Sequence, residues 1–331
     1  MRTSVLELIV CPSCRDGLQA SADASEGEEI LEGTLTCRGC AARYAIVGGV
    51  PRLAPEVLTA DEARTVGGFG WQWNWFDDVN DAELEREQFL DWVAPLGEDA
   101  FRDRVILDAG CGMGRWPEVV ASFGARAVVA VDLGDSVDAA FRRTRHLPEV
   151  HIVQGSILDL PLRRGSDADI DGAYSIGVLH HMPDPRAGFL AMQRHVRPGG
   201  FVHAWVYGAE GNEWVERIIT PLREHVTAHL PKLALLGLSF GLALPVHATA
   251  RLTNRAGAAS LVPYGEYLTW LGQFGFRHTH HVVFDHLNPT LAAYLPRAEV
   301  EEWARLAALQ DVAISARNNQ SWRLVGTRPD N

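Results

Sequence analysis

The stretch DRVILDAGCGMGRW (residues 103–116) decides the fold. VILDA is a short run of apolar and β-branched residues that ends in an acid, which is typical of a buried parallel strand. Three glycines in a G-x-G-x-G pattern follow directly, and a helical pattern then continues through Ser122. Glycines at a strand-to-helix turn let a ligand approach the backbone closely. The stretch therefore predicts a ligand-binding strand, loop and helix.

The glycine spacing also distinguishes between ligands. Dinucleotide-binding turns carry G-x-G-x-x-G, whereas here the pattern is G-x-G-x-G with Asp108 two residues ahead of it. S-adenosylmethionine has no pyrophosphate to cradle, so the difference favours this sulfonium cofactor over a nicotinamide dinucleotide.

Strands and helices alternate on the C-terminal side of this turn. The predicted strands are ARAVVAVD (125–132), HIVQGSILDLPL (151–162), the first part of DGAYSIGVLHHMPDP (171–185) and FVHAWVY (201–207), with helices at 135–145 and 186–196. Alternating βα units form a parallel sheet that binds ligands at the carboxyl ends of its strands. Asp132 stands at such an end, where its carboxylate is placed to accept hydrogen bonds from ribose hydroxyls.

Residues 103–207 resemble the class I S-adenosylmethionine-dependent methyltransferases. The resemblance implies an α/β fold with a Rossmann-like seven-stranded sheet, in which Asp132 binds the ribose and Asp159 receives the adenine amine. The cofactor contacts that it implies in this region are Asp108, Gly110, Cys111, Gly112, Gly114, Asp132, Leu133, Ile157, Leu158, Asp159, Ser175, Ile176 and Gly177.

Four of the five cysteines form two pairs, Cys11 with Cys14 and Cys37 with Cys40. The spacing C-x2-C-x22-C-x2-C supplies four thiolates, which complete the tetrahedral coordination that Zn2+ prefers. Because protein ligands fill all four positions, the predicted zinc is structural. A redox dithiol and an iron–sulfur cluster are the alternatives. Residues 1–55 resemble the zinc-ribbon domain of the tRNA-methyltransferase activator family, and this resemblance implies a protein-interaction scaffold.

The segment GGFGWQWNWF (67–76) places three tryptophans within five residues. An extended backbone would put all three indoles on one side, whereas a helix would spread them so that some become core. In the class I methyltransferases that this chain resembles, the segment upstream of the core folds over the cofactor. The resemblance therefore implies a lid here, with Phe69 and Trp73 of its FGxQW-like part as cofactor contacts. Core packing and a stacking platform for bases are the alternatives.

Four residues are candidate general bases. His180 and His181 lie in the loop after the fourth core strand, and Asp285 and His286 lie in FRHTHHVVFDHLNP (276–289). Histidine titrates near neutrality, which suits proton transfer. If the second stretch is a strand, His278 and His280 share one face of it, and a second metal site there is a weaker alternative to the polar rim of a substrate pocket.

Residues 208–290 are predicted to form a helical insertion between the core (101–207) and the C-terminal strands (291–331). Its most apolar part, LALLGLSFGLALPV (233–246), is shorter than the roughly 20 residues of a membrane span. We therefore expect a buried helical hairpin, no membrane span, and either a lid over an apolar acceptor or a homodimer contact. Residues 56–100 are predicted to be a linker and an N-terminal lid helix.

The formal net charge of −12 argues against nucleic acid as a partner, because phosphate contacts require a basic surface. The order of the zinc ribbon, the FGxQW-like segment, the G-x-G-x-G domain, DHLNP and NNQSWRLVGTRP resembles a group of bacterial fusion methyltransferases. We expect a cytoplasmic S-adenosylmethionine-dependent methyltransferase that modifies oxygen or carbon of a small molecule, such as a secondary metabolite or a sugar- or lipid-linked intermediate. The alternatives are an rRNA or tRNA methyltransferase, a non-catalytic cofactor-binding subunit, and a non-methylating use of the cofactor.

Overall fold

The N-terminal part of the chain is a small antiparallel sheet that carries the cysteines at one end. The computed structural model describes residues 1–55, 58–76, 82–163, 170–257, 259–262 and 264–330. The four strands of this sheet are β1 (Leu18–Glu26), β2 (Glu29–Cys37), β3 (Arg43–Val47) and β4 (Val50–Pro51), and they pair in that order. The ribbon expected from the cysteine pairs is present.

Two helices connect this sheet to the core, α1 (Ala60–Trp75) and α2 (Ala82–Val93). α1 begins where it does because Thr59 forms a capping box, accepting from the Glu62 backbone N–H while the Glu62 side chain accepts from the Thr59 backbone. The tryptophan stretch is therefore helical and not extended, so Trp71 and Trp75 share one face of the helix while Trp73 points in another direction.

The central sheet contains seven strands. In addition to β5 (Val105–Ala109), it comprises β6 (Ala127–Asp132), β7 (Val150–Gln154), β8 (Ile170–Ile176), β9 (Val196–Tyr207), β10 (Gln310–Arg317) and β11 (Ser321–Thr327). The strand order is β10-β11-β9-β8-β5-β6-β7, with β5 to β9 parallel and β11 antiparallel to both its neighbours. The predicted seven-stranded α/β fold is confirmed. The order reverses beside β5, which is where such sheets bind ligands.

Three helices cover the sheet within the βα repeat: α3 (Arg115–Ser122), α4 (Ser136–Thr144) and α5 (Pro185–Gln193). The third strand ends at Gln154, eight residues before the predicted end, since the chain turns through a short 3-10 segment at Ile157–Asp159. β9 begins at Val196, five residues before the predicted start of this strand at Phe201.

The insertion is helical. A π-helical turn (Val215–Ile219) leads into α6 (Thr220–His225), α7 (Lys232–Ala256), α8 (Gly265–Leu271) and α9 (Phe276–Leu287). The expected apolar hairpin is wrong, because α7 is one helix of 25 residues that continues through Pro245. With a mean hydropathy of 1.7 over an 18-residue window, α7 is long and apolar enough to cross a membrane, and only 22% of that window is buried.

The chain returns to the sheet through α10 (Arg297–Leu306). The ribbon and the large sheet share one hydrophobic core. Val5, Ile9 and Leu35 of the ribbon belong to the same buried apolar cluster as Leu107 and Val131 of the sheet. The backbone joins them as well: Val10 N–H donates to the Pro161 carbonyl (2.9 Å).

Candidate functional site

One cavity of about 720 Å³ lies at the carboxyl ends of the parallel strands and extends into the helical insertion. At one end it is bordered by the glycine loop, and at the other by aromatic and histidine side chains of α8 and α9. The predicted site residues that line it are Phe69, Trp73, Gly110, Cys111, Gly112, Asp132, Leu133, Ile157, Leu158, Ile176, Gly177, His181, Asp285 and His286.

Three positions of the loop between β5 and α3 are glycines, whose lack of a Cβ determines its conformation. Gly110, Gly112 and Gly114 all have positive φ (101°, 52° and 85°), a conformation that side chains with a Cβ seldom adopt. A Cβ on Gly112 would lie 3.3 Å from the Trp73 indole nitrogen, and one on Gly114 would lie 3.0 Å from Ala140 Cα. Space for a ligand at this loop therefore depends on glycine.

The loop is held by the acid at the end of the neighbouring strand. Asp132 accepts hydrogen bonds from the backbone N–H groups of Gly112 (2.9 Å) and Gly134 (3.0 Å) and from the Ser136 hydroxyl (2.8 Å). Burial raises the pKa of Asp132, and these donors partly offset the shift. A carboxylate has about four acceptor positions, so this one retains capacity for a ligand hydroxyl such as that of ribose.

Five predicted site residues do not line the cavity: Asp108, Gly114, Asp159, Ser175 and His180. Asp108 is fully buried beneath the loop, and burial raises its pKa well above the usual range. The Ser175 hydroxyl donates to the Ala109 carbonyl (2.7 Å), a contact that joins β8 to β5. Asp159 forms an ion pair with Arg15 of the ribbon, so this geometry gives no support to its implied role at adenine.

Helix α1 covers the cavity. Val66, Phe69 and Trp73 line it, whereas Trp71 stacks on Trp75 with ring centroids 5.3 Å apart and on Phe284 at 5.5 Å. One tryptophan of the three thus reaches the cavity, and the other two pack against each other on the outer side of the helix.

Gln72 fastens this helix to α9. The side chain is fully buried, and its amide nitrogen donates to Asp285 Oδ1 (2.8 Å) and to His281 Nε2 (3.0 Å). Its carbonyl oxygen accepts from Asn288 Nδ2 (2.9 Å), and Asn288 in turn accepts from Lys232 Nζ (2.6 Å). This network orients Asp285 at the cavity wall.

His181 is the histidine of the SIGVLHHMPDP loop that faces the cavity. Its Nδ1 lies 2.6 Å from the Leu291 carbonyl oxygen, which can only accept, so Nδ1 carries the proton and Nε2 keeps a free lone pair. Burial lowers the pKa of His181 to about 4. The ring is therefore neutral near pH 7 and able to accept a hydrogen bond or a proton.

His180 has a different environment. It is fully buried, and its ring stacks on Tyr207 with centroids 3.9 Å apart. Burial lowers the pKa of His180 well below the usual value. His180 does not line the cavity and packs against Tyr207, and its role as a general base stays a prediction.

The second histidine cluster is helical, so the prediction of a strand is wrong. His278, His281 and Asp285, at spacings of three and four residues, face the cavity from α9, whereas His280 bonds the Ser239 hydroxyl of α7 (3.0 Å) on the other side. Within the described residues, the only group placed to hold a metal ion is the set of four cysteines.

Several cavity residues carry no recognisable sequence signal. Arg115 places its guanidinium 4.5 Å from the Trp116 ring centroid and 5.8 Å from that of Trp73, and burial lowers its pKa. Tyr207, Tyr267 and further aromatic residues line the acceptor end. A sequence motif identifies a backbone turn, whereas these side chains belong to elements far apart in the chain and come together only when it folds.

The cysteine cluster fits one zinc ion. The four sulfur atoms lie within 4.8 Å of one another, with Cys11 3.7 Å from Cys40 and Cys14 3.3 Å from Cys37. Four Zn–S bonds of about 2.3 Å in a tetrahedron require sulfur separations of roughly 3.8 Å. Modest adjustment therefore produces the required geometry, and no position is left open for a substrate.

We expect metal analysis of the purified chain to give one zinc per molecule, and the Cys14→Ser/Cys40→Ser variant to lose it because two of four ligands are removed. The matched control is Cys111→Ser, which alters the cysteine outside the cluster and should retain the metal. Two metal ions per chain would contradict the assignment of a single metal site at the cysteines and would favour a second site at the histidines of α9.

The comparisons with known proteins agree with this architecture. The family model described as "Methyltransferase domain" matches residues 107–204, and that described as "Trm112p-like protein" matches residues 2–49. A tRNA U34 carboxymethyltransferase of Pseudoalteromonas atlantica is 27% identical over 142 residues, 41% of this chain and 42% of that protein. The 24-methylenesterol C-methyltransferase 2 of Oryza sativa is 32% identical over 123 residues, 34% of this chain and 33% of that protein.

Among solved structures, Haemonchus contortus phospholethanolamine N-methyltransferase 2, in complex with phosphomonomethylethanolamine and S-adenosylhomocysteine, aligns with a TM-score of 0.48 at 14% identity, over 87% of this chain and 64% of that one. The chain spans only 28% to 42% of the length of several curated relatives that it matches. The family matches, the strand order and the two sites converge: the chain joins a Trm112p-like domain, with four cysteines positioned for zinc, to a class I S-adenosylmethionine-dependent methyltransferase domain.

Proposed function

We propose that this protein transfers the methyl group of S-adenosylmethionine to oxygen or carbon of a small acceptor with a large apolar part. The observation that carries the proposal is the continuity of the cavity. Its volume of about 720 Å³ extends from the glycine loop to the aromatic wall of the insertion, within the range of roughly 300–1,000 Å³ typical of small-molecule sites. One enclosure therefore serves both cofactor and acceptor.

The cofactor end supplies contacts suited to each part of S-adenosylmethionine. The glycine loop admits the methionine portion, with the Arg115 guanidinium available to its carboxylate, and Asp132 is available to the ribose. Leu133 and Leu158 offer apolar surface for adenine. Trp73 of α1 closes this end from above.

The acceptor end is largely apolar with a few polar groups. Tyr267, Leu268 and Trp270 of α8 contribute to one wall and Leu242 of α7 to another, while Asp285, His286 and His181 provide polar contacts. Methyl transfer from a sulfonium is an in-line displacement, so the walls mainly position the acceptor and exclude water. A hydroxyl or acidic carbon acceptor can release its proton to His181 Nε2, with the Asp285 carboxylate nearby to stabilise the resulting cation.

An RNA acceptor is the second candidate, favoured by the Trm112p-like match and by the tRNA-modifying relative. The net charge of −12 and the apolar acceptor wall weigh against it. Incubation with radiolabelled S-adenosylmethionine, cell extract and either ribonuclease or buffer separates the two. We expect label in an organic-soluble small molecule that is insensitive to ribonuclease. Label confined to RNA would refute the small-molecule proposal.

The base is tested by His181→Gln. With the labelled acceptor, we expect turnover to fall about tenfold while S-adenosylmethionine affinity is retained. The expected loss lies below the roughly 10²–10⁴-fold range of general bases because a histidine with a pKa of about 4 is a weak base. His146→Gln, at an exposed position away from the cavity, is the matched control. Unchanged turnover in His181→Gln would transfer the role to Asp285 or His286, to be examined by Asp285→Asn and His286→Gln.

A further inference from the structure

Exposed apolar side chains are concentrated on the helical insertion. Of the sixteen large apolar side chains that are exposed in the described part of the chain, eleven fall between residues 214 and 261. They form two groups, which together we call the apolar face: Trp214, Ile218, Leu222 and Val226 on the first, and Leu233, Leu238, Phe240, Leu242, Leu244, Leu252 and Leu261 on and after α7. Patches of this size on a soluble surface mark an interaction site.

The first group has helical regularity. Trp214, Ile218, Leu222 and Val226 recur every four residues through the π-helical turn and α6, and each is between 45% and 61% exposed. On α7, the opposite side of the helix is already occupied: Leu235, Ser239 and Ala243 are buried, and Ser239 bonds His280 of α9. One side of α7 therefore packs along its length against the domain. This arrangement allows the helix to lie along a membrane surface but not to cross a bilayer.

The charges differ between the two groups of this face: the first group carries exposed Glu213, Glu216 and Glu224, whereas the second group lies in an interval without acidic residues. No Asp or Glu occurs between Glu224 and Glu266, although the chain has 42 acidic residues, and Arg251 and Arg255 lie within that interval. The third cation there, Lys232, directs its ammonium to Asn288 and not outward. Interfacial helices combine exposed apolar residues with cationic ones in this way, which suits anionic phospholipid headgroups. In a chain of net charge −12, the absence of acids along α7 allows the second group to approach such a surface.

The cavity reaches the apolar face. Trp214 and Leu242 are both half-exposed members of that face, and both also line the cavity, as do their neighbours Val215 and Val246. A second copy of the chain bound to the apolar face would close the opening of the cavity. A bilayer in the same place would leave the opening in contact with lipid-soluble molecules. Continuity between cavity and face therefore favours a lipid surface over a homodimer contact.

We propose that the apolar face docks on the surface of an anionic membrane and that the acceptor enters the cavity from the bilayer, which makes it a lipid-soluble molecule. The second half of this proposal rests on the proposed methyltransferase function. The docking half does not, so it can be tested separately.

The test is flotation of the full chain with vesicles of phosphatidylcholine mixed with phosphatidylglycerol. We expect the wild-type protein to float, and the Ile218→Gln/Leu238→Gln/Leu244→Gln variant to lose at least about nine-tenths of the bound fraction because glutamine removes apolar area but keeps helix propensity. None of these three residues lines the cavity. The matched control is Leu306→Gln, an equally exposed leucine on α10, which should float like the wild type.

S-adenosylmethionine binding is measured on every variant to verify the fold and to separate the two proposals. If the wild-type chain floats but binds no cofactor, the proposed function fails and docking stands. If it binds the cofactor but does not float, membrane docking is refuted. If, in addition, the wild-type chain is a dimer that dissociates in the triple variant, a second copy occupies the face.

Orientation is tested with bromine-labelled phosphatidylcholine in the same vesicles. Bromine in the acyl chains should quench part of the tryptophan fluorescence of the wild-type protein, because Trp214 would lie at the lipid boundary. The quenched part should be lost in Trp214→Phe. Equal quenching in the two proteins would refute entry of the acceptor at this end of the cavity.

Discussion

Replacing Gly112 by valine should weaken S-adenosylmethionine binding about a hundredfold or more. Gly112 has a φ of +52°, its N–H donates to Asp132, and a Cβ there would stand 3.3 Å from the Trp73 indole nitrogen. A branched side chain would thus distort the loop, displace the lid tryptophan and fill cofactor space together. Isothermal titration with the cofactor measures the loss, which corresponds to about 2.7 kcal/mol of binding free energy per hundredfold.

Gly27→Val controls for the backbone conformation. Gly27 also has a positive φ (+59°), but a Cβ there meets nothing within 4 Å, so the variant pays the left-handed penalty of about 1–2 kcal/mol without touching the cavity. We expect similar loss of thermal stability in both variants and normal cofactor affinity in Gly27→Val. Equal affinity losses would mean that instability, and not the glycine loop, governs binding.

Acid should destabilise the fold strongly as pH falls from about 7 toward about 5, because buried histidines stay neutral in the native state. Burial lowers the pKa of four of them to about 4 or about 3, namely His151, His181, His203 and His278. The unfolded chain binds protons at these positions below about pH 6.5 and the folded chain does not, so stability is complete above that pH and is lost below it. At about pH 5 each contributes roughly 2 kcal/mol to the loss.

Two acids oppose this trend. Burial raises the pKa of Asp108 and Asp132, so the folded state binds protons there more readily than the unfolded state and gains stability as pH falls. The histidines are more numerous, and His180, His281 and His286, whose pKa values are also lowered by burial, act in the same direction as the first four. The net change should therefore be a loss of stability.

Thermal unfolding followed by circular dichroism at about pH 7.5 and about pH 5 should show a fall in Tm of roughly 10 °C, because the unfolding entropy of a 331-residue chain corresponds to about 1.4 °C per kcal/mol. His203→Gln removes one titrating group from the core and should reduce the pH-dependent part of the fall by about a quarter of the four-histidine contribution. Exposed His146→Gln should not change it. A Tm that is constant down to about pH 5 would contradict the argument.

The sheet was predictable from sequence because a parallel core strand reads as a continuous apolar run and its glycine loop has a fixed spacing. VILDA forms β5. Asp132, the last residue of the next strand, accepts a hydrogen bond from Gly112 of the glycine loop. The cysteine spacing likewise indicated a closed four-ligand site. Such features depend on residues close together in the chain, where spacing translates directly into geometry.

The helical insertion was harder to predict because tertiary contacts, and not a local periodic pattern, determine where its polar and apolar residues lie. Histidines at positions 278, 280 and 281 obscured the helical period of α9, and the apolar run of α7 was too uniform to show where the helix would end. Asp159 illustrates a different limit. The resemblance implies that its carboxylate contacts adenine, which stays a prediction, and the fold adds an ion pair with Arg15, 144 residues away in the chain, that no local pattern indicates.

The buried cluster that unites Ile9 and Leu35 with Leu107 and Val131 has a consequence for how the molecule comes apart. Two modules with separate cores would melt independently, whereas a core shared between them couples their unfolding into one cooperative unit. Loss of the metal from the ribbon should therefore raise amide hydrogen exchange in the central strands as well. A Trm112p-like domain built into the same core as the methyltransferase domain can neither dissociate nor be diluted away, so we expect metal binding by its four cysteines to affect the lifetime of the whole chain.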